Sequence, residues 1–170
     1  MSLTRIAGIF YVLTFIGGIY GLFGRGPYTE AAGAAGGASY VVVTILFFRL
    51  FTPVHAPLSL LAAAVSMAGV LAGPLHLTTV NPIVFFGVYC LLIGYLSLRS
   101  TFVPRVVGVL MMCAGLGWLT YLSPRLSHAL SPYILAPGFI GEGSLTLWLL
   151  VARVDAQPSP RLLNNGVTVQ

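Results

Sequence analysis

A single carboxylate stands inside the last long apolar segment of this 170-residue chain. Glu142 lies at the centre of the sequence Gly138-Phe-Ile-Gly-Glu-Gly-Ser144, and helical spacing places Gly138, Glu142 and Thr146 on one face. A charged side chain inside a membrane is costly, so Glu142 is expected to face the bundle interior or water. It could accept protons or attract cations in a small polar cavity, or it could be a structural carboxyl bonded to a Tyr or Ser of another helix.

The structural role for Glu142 is favoured because a proton relay needs further ionisable partners, and the other apolar segments offer none at mid-depth. Paired-carboxylate hydrolysis would require Glu142 to meet Glu30 or Asp155, which lie at other depths. The chain contains no phosphate-binding loop, zinc-spaced His/Cys cluster or nucleophile elbow. The sequence therefore predicts no catalytic residues.

Histidine and cysteine are the residue types that could bind a haem or a metal ion here. His76 and His128 are the one pair at matching depth that could bind haem from two sides, although solvation at the membrane surface explains both more simply. Cys90 and Cys113 fall inside apolar runs, where cysteine usually behaves as a small hydrophobic residue. No cofactor and no metal site are predicted, and the two histidines stay as haem-ligand candidates only.

The composition requires lipid as the solvent. Hydrophobic residues make up 58% of the chain and charged residues 6%, and the mean hydropathy is +0.98. A soluble domain normally carries about a quarter of charged residues. The net charge of +5 comes from arginines scattered singly between apolar runs, and without a basic stripe this pattern excludes nucleic-acid binding.

Six apolar segments approach the length of about 20 residues that a helix needs to cross a membrane. One of them, 31–48, begins with a Gly and Ala stretch that could instead be a flexible loop before a short buried segment; a helix is favoured because small residues suit close helix contacts. The short loops predict an all-α, up-and-down polytopic bundle over residues 1–154, followed by a polar tail at 155–170. The predicted spans are about 6–23, 31–48, 57–75, 82–98, 103–122 and 133–154.

Assigning the loops alternately to the two membrane sides separates the arginines unevenly. Short cytoplasmic loops collect positive charge, so the side with more arginines is predicted to be cytoplasmic, together with both termini and the tail. That side receives Arg5, Arg49, Arg99, Arg105, Arg153 and Arg161, and the other receives Arg25 and Arg125.

Small residues recur four positions apart along several spans. Such pairs favour close helix contacts, either within one chain or between chains. Protein partners or a homo-oligomer held through these faces are therefore open alternatives, alongside the lipid bilayer itself. The pairs are Gly17 with Gly21, Gly33 with Gly37, Ala64 with Ala68, and Gly69 with Gly73.

Three stretches, at residues 5–14, 94–110 and 141–150, together resemble the domain-of-unknown-function family 4386 of bacterial multi-pass membrane proteins. The resemblance covers about residues 5–154. It implies the same helix count, the presence of Glu142 and Trp148 together on the last helix, and a bacterial inner membrane, but no activity. The segment 57–75 lacks the charges expected from this resemblance, which puts any function that relies on them in doubt.

The leading functional hypothesis is a small bundle without catalytic activity that acts as an interaction or accessory component of a membrane complex. It follows from one mid-span ionisable residue and many close-packing glycines. One alternative is a transporter or channel for a small solute or protons that uses Glu142. A second alternative is a redox protein that binds haem or a quinone, which depends on His76 and His128.

Overall fold

The computed structural model describes residues 2–72 and 81–152. Within these ranges the chain forms helices and no strands. His76, the end of the predicted third span at 73–75 and the predicted tail at 155–170 lie outside the described residues. The elements are α1 (Leu3–Phe23), α2 (Thr29–Ala72), α3 (Ile83–Arg99), α4 (Arg105–Leu119), a 3-10 turn (Thr120–Leu122), α5 (Pro124–Leu130) and α6 (Leu135–Val151).

Helix α2 is broken at His55. This residue has φ −161° and ψ 94°, which are not helical values, and Pro53 and Pro57 lie two residues to either side. A proline inside a helix lacks the N–H donor, and its ring clashes with the carbonyl four residues earlier. Two prolines around one residue therefore explain why the helix breaks here.

The two arms of α2, residues 29–54 and 56–72, fold back on each other. The hydroxyls of Thr44 and Ser66 lie 2.7 Å apart, whereas a straight helix would separate these residues by about 33 Å. The arms therefore form an antiparallel hairpin. The segment 31–48, for which a loop was an alternative, is helical throughout.

Glycines set the close contact between α1 and the first arm of α2. A Cβ atom built on Gly17 would lie 2.6 Å from Cα of Gly36, and one built on Gly21 would lie 3.0 Å from Cα of Gly33. Later residues of α1 contact earlier residues of α2, so the two helices are antiparallel. These small residues serve contacts within the chain.

The same arrangement joins α3 to α4. A Cβ atom on Gly94 would lie 2.9 Å from the carbonyl oxygen of Gly108, and one on Gly87 would lie 3.0 Å from that of Gly115. Only glycine allows backbones to approach this closely. The pairing is antiparallel, as the short connection between the two helices requires.

Helix α6 returns beside α1 and completes the bundle. A Cβ atom on Gly8 would lie 3.0 Å from the Leu150 side chain, and the Thr4 hydroxyl donates a hydrogen bond of 2.9 Å to the carbonyl oxygen of Ala152. Early residues of α1 thus meet late residues of α6. The predicted all-α, up-and-down bundle is confirmed.

A short helix that the sequence analysis did not predict precedes α6. Helix α5 and helix α6 are bent by 81° relative to each other. Ser123 starts α5 as its N-cap, with its hydroxyl accepting a 3.4 Å hydrogen bond from the backbone N–H of Leu126. A serine cap followed by a proline at the first helical position is a strong helix-start signal.

Several of the described helices have the length and composition of membrane spans. Three of them qualify by themselves, namely α1, α2 with both arms counted together, and α4 with the 3-10 turn. The bent pair of α5 and α6 would make a fourth, and α3 is a shorter apolar helix. The chain is a helical membrane protein.

The described arginines separate between the two ends of the bundle. The end that holds the start of α1 also holds the break in α2 and the connection from α3 to α4. We call this the terminal end and the other the opposite end. The terminal end carries Arg5, Arg49, Arg99 and Arg105, and the opposite end carries Arg25 and Arg125.

Candidate functional site

Glu142 joins three helices inside the bundle. It lies near the middle of α6 and is 4% exposed. Nε1 of Trp118, at the end of α4, donates a 2.8 Å hydrogen bond to Oε1 of Glu142. The hydroxyl of Tyr11, in α1, donates to Oε2 over 3.5 Å, which is the longer and weaker of the two bonds.

Trp118 reaches Glu142 because residue 138 has no side chain. A Cβ atom built on Gly138 would lie 2.3 Å from Cζ2 of Trp118 and 3.0 Å from its Nε1. The indole ring therefore occupies the space that a side chain at position 138 would fill. Gly138, which the sequence predicts as part of the site, leaves the space that the indole of Trp118 needs to reach Glu142.

Gly141 brings α4 and α6 together one turn further along. Its Cβ atom would lie 2.4 Å from the carbonyl oxygen of Leu110 and 2.8 Å from Cβ of Ala114. Because the nearest atom belongs to the backbone, it cannot move aside as a flexible side chain would. The close approach of the helices places Glu142 within reach of Trp118.

Tyr11 is held by aromatic packing. It is fully buried, and its ring makes an edge contact with Phe47 at 5.7 Å and a tilted contact with Phe15 at 5.5 Å between centroids. Aromatic pairs at such distances favour these offset or edge arrangements. The packing holds the phenol beside Glu142.

The arrangement around Glu142 is suited to holding a carboxyl in place. Both donors are neutral, and an indole N–H donates but cannot accept a proton. A proton therefore cannot pass through Trp118. Glu142 lines neither the groove between α1 and α2 nor the cavity between α2 and the start of α3.

The other predicted site residues have separate positions. The hydroxyl of Thr146 donates a 2.8 Å hydrogen bond to the backbone carbonyl of Glu142 in the same helix, so this bond does not involve the carboxylate. His128 is exposed on α5. Nε1 of Trp148 donates to the carbonyl oxygen of Phe102 at 3.1 Å. Across the described residues there is no group of three or more His, Cys, Asp or Glu that could hold a metal ion.

Sequence reasoning expected a Tyr or Ser partner for Glu142 but did not identify Tyr11 or Trp118 in that role. A signal was present for Tyr11, which lies well inside its apolar segment, whereas most tyrosines lie near span ends. Trp and Tyr usually occur at the membrane surface, so deeper ones are candidates for interior hydrogen bonds.

Residues 75–152 match the protein family described as Domain of unknown function (DUF4386). This match, over 78 of the 170 residues, supports the resemblance to that family found in the sequence. No curated protein and no solved structure matches this chain. The DUF4386 match covers α3 to α6 and so includes both Trp118 and Glu142, whereas Tyr11 comes from the part of the chain before it.

A groove lies outside the DUF4386 match, between α1 and the two arms of α2 at the opposite end. It has a volume of about 1160 Å³. We call it the small-residue groove because seven of its ten lining residues are Gly, Ala or Thr. They are Gly18, Gly21, Thr29, Glu30, Gly33, Ala34, Gly37, Ala38, Val41 and Val70.

Two glycines of the small-residue groove have no contact that requires glycine. A Cβ atom built on Gly18 or on Gly37 would meet nothing within 4 Å. They differ from Gly21, whose Cβ atom would contact Gly33. Packing inside the chain therefore explains Gly21 but leaves Gly18 and Gly37 unexplained.

Proposed function

We propose that the protein is an accessory component of a membrane complex, without catalytic activity or a cofactor, that binds a transmembrane helix of a partner protein in the small-residue groove. The observation that carries this proposal is the open space beside Gly18 and Gly37 in a groove of about 1160 Å³. The absence of side chains there gains nothing for the packing of this chain.

A helix fits the small-residue groove better than a lipid chain does. Lipid tails are as apolar as leucine, so they gain little when side chains are removed from a helix surface. A partner helix gains close backbone approach and van der Waals contact from small residues. Gly18 on α1 and Gly37 on α2 line the groove from two helices, which would let one partner helix pack against both.

The charge at the mouth of the groove specifies the partner further. Glu30 lines the groove and is exposed at the start of α2. A carboxylate at a membrane surface favours a basic residue opposite it, and such charge pairs select partners more than they add affinity. The partner helix is expected to carry Lys or Arg at this depth.

Filling the groove should remove the partner. Gly37→Leu adds a side chain where the chain itself offers free space, so folding should persist while the partner helix is excluded. We expect purification in mild detergent from native membranes, followed by mass spectrometry, to recover a partner with the natural protein and at least fivefold less with Gly37→Leu.

Gly143→Leu is the matched control for this experiment. Gly143 also has nothing within 4 Å of its Cβ position, but it lies on α6 and not in the groove. It should leave the partner bound. Equal recovery of the partner with both variants would reject the groove as the docking surface. If only a second, differently tagged copy of this chain were recovered, the groove would hold another copy of the chain and not a partner protein.

We also propose that both termini lie in the cytoplasm of a bacterium, with the protein in the inner membrane. The charge distribution supports this orientation, because the terminal end carries four of the six described arginines and cytoplasmic loops collect positive charge. The bacterial inner membrane follows from the family resemblance of the sequence.

Cysteine labelling in intact cells tests the orientation. Tyr28 is 72% exposed at the opposite end, and Thr101 is exposed at the terminal end. In a Cys113→Ala background, a membrane-impermeant maleimide should label Tyr28→Cys in intact cells and Thr101→Cys only after permeabilisation. The reverse pattern would invert the orientation.

The alternative functions receive less support from the described contacts. Transport through Glu142 would need access to that carboxylate, which is 4% exposed and bonded on both oxygens. A haem held by two histidines would need His128 to face the bundle, yet it is exposed on α5. His76 lies outside the described residues.

A further inference from the structure

The outer surface of the α3 and α4 pair carries two arginines at the terminal end. Arg99 is the last residue of α3 and Arg105 is the first residue of α4, and both side chains are exposed. Tyr95, one helical turn before Arg99, is 37% exposed. We call these three residues the arginine surface.

Helix geometry places the arginine surface on one side of the seam between α3 and α4. A Cβ atom on Gly108 would lie 2.9 Å from the side chain of Leu98, so both residues face the seam. Arg99 follows Leu98 by one position, a rotation of about 100° around α3, and Arg105 precedes its seam residue by three positions, a rotation of about 60° in the same sense. Because the helices are antiparallel and face each other, rotations of the same sense lead to the same side. Tyr95, four residues before Arg99, shares its face.

The two arginines also lie at a similar depth. Measured along the helices from the contact between Leu98 and Gly108, Arg99 lies about 1.5 Å and Arg105 about 4.5 Å closer to the terminal end. The axes of packed helices are about 8–10 Å apart. One anionic group above the seam can therefore contact both side chains.

Tyr95 positions the guanidinium of Arg99. Nε and Nη2 of Arg99 donate to the hydroxyl oxygen of Tyr95 at 3.0 Å and 2.7 Å, and the guanidinium carbon lies 5.3 Å from the centroid of the tyrosine ring. A phenol can accept and donate at once, and within the described residues the O–H of Tyr95 donates to no acceptor. This O–H and the remaining N–H groups of Arg99 are available to an anion.

No carboxylate within residues 2–72 and 81–152 neutralises the arginine surface. The acids in these ranges are Glu30, at the opposite end, and Glu142, inside the bundle. The N-cap of α4 is Pro104, whose side chain makes no capping hydrogen bond, so the positive end of the helix dipole adds to the charge of Arg105. The arginine surface therefore favours an anion with several acceptor oxygens.

The surface next to the arginines is apolar, which favours a lipid over a free anion. Helical spacing places Val109 and Leu116 in line with Arg105 along α4, and they are 50% and 61% exposed. A lipid phosphate at the arginines would leave an acyl chain along this stripe. Arginine binds phosphate through two parallel hydrogen bonds, and basic sites between membrane helices bind anionic headgroups.

We infer that the arginine surface binds the headgroup phosphate of an anionic phospholipid, with Arg99 and Arg105 as its charge partners and Tyr95 as a hydrogen-bond donor. The site lies within the DUF4386 match. The small-residue groove is formed by α1 and α2, so the lipid site is independent of the proposed partner helix.

The test titrates phosphatidylglycerol into the full-length protein in detergent and measures bound lipid by native mass spectrometry. Binding should be saturable and tighter than that of phosphatidylcholine, which carries a phosphate but no net charge. Arg99→Gln and Arg105→Gln should each weaken phosphatidylglycerol binding about fivefold, the contribution of one basic residue at an anionic membrane surface. Tyr95→Phe removes the hydroxyl but keeps the ring, and should weaken binding about threefold.

Arg49→Gln is the matched control, because it makes the same charge change at the same end. Arg49 is exposed and lies on α2, which in the described part of the chain packs against α3 but not against α4. It should bind phosphatidylglycerol as the natural protein does. Equal binding by all three glutamine variants, whether weakened or unchanged, would overturn the site, since only net charge or no arginine at all would then matter. Displacement of the lipid by excess inorganic phosphate would reject a lipid as the ligand.

Discussion

Glu142→Leu is expected to destabilise the folded bundle by about 1–3 kcal/mol. Leucine accepts no hydrogen bond, so the indole N–H of Trp118 and the hydroxyl of Tyr11 would both be left buried without the partner that they have now. Each unsatisfied donor costs about 1–3 kcal/mol in soluble proteins, but hydrogen bonds between membrane helices average about 0.6 kcal/mol. Reversible unfolding by SDS in mixed micelles measures the change.

Glu142→Gln should stay within about 1 kcal/mol of the natural protein. The amide oxygen can accept from Trp118, and the amide NH₂ can donate to the hydroxyl of Tyr11, which accepts as well as donates. The glutamine variant therefore separates hydrogen bonding from charge. A loss as large as that of Glu142→Leu would show that the ionisable group itself is needed for folding.

The same glutamine variant bears on the transport alternative. With Glu142 as a structural residue, proton or solute flux through reconstituted liposomes should be equal for Glu142→Gln and the natural protein. Abolished pH-dependent flux in a variant of unchanged stability would instead make Glu142 a transport residue, and the accessory role would have to be abandoned.

Much of the fold could be predicted from the sequence because lipid imposes simple rules. Apolar length indicates the spans, short loops require antiparallel neighbours, and the arginines alternate in number between the two ends. The helical hairpin of α2 shows the limit. The predicted spans 31–48 and 57–75 placed the turn directly after residue 48, but the helix continues past Arg49 to His55 before it turns. A proline in a membrane helix is tolerated when neighbours satisfy the backbone.

The candidate site was predicted in part. A carboxylate at mid-span had to face inwards, and glycines around it indicated close packing. Its partners depend on which helix lies on each side of α6, and neither Tyr11 nor Trp118 is near Glu142 in the sequence. Their proximity comes from the antiparallel pairing of α6 with both α1 and α4, which the periodicity of apolar residues does not specify. Helix α5 was not predicted because it lies between the predicted spans 103–122 and 133–154, where the sequence indicated a short loop.

Sequence spacing also does not distinguish glycines that pack closely against another helix from glycines that do not. Sequence spacing identified Gly33 and Gly37 as one close-packing pair, but their surroundings differ. A Cβ atom on Gly33 would approach Gly21, whereas one on Gly37 would meet nothing. Residues four apart on a helix share a face only approximately, so a neighbouring helix that crosses at an angle contacts one of them and leaves the other free.

Gly141 and Gly143 on α6 are expected to respond in opposite directions to alanine. Gly141→Ala would place a Cβ atom 2.4 Å from the backbone oxygen of Leu110, so α4 must move away from α6. Forcing extra volume into a packed interior costs about 1–3 kcal/mol, and separating these helices would also lengthen the bond from Trp118 to Glu142. SDS unfolding should therefore show a clear loss of stability for Gly141→Ala.

Gly143→Ala, two residues further along the same helix, is the control with the same chemical change. Its Cβ atom would meet nothing within 4 Å, and alanine favours a helix over glycine by up to about 1 kcal/mol. The variant should be as stable as the natural protein or more so. Indole fluorescence reports the mechanism, because a displaced Trp118 should change the emission of Gly141→Ala and not of Gly143→Ala. If both variants lost stability equally, helix backbone flexibility, and not the contact with Leu110, would explain why α6 carries these glycines.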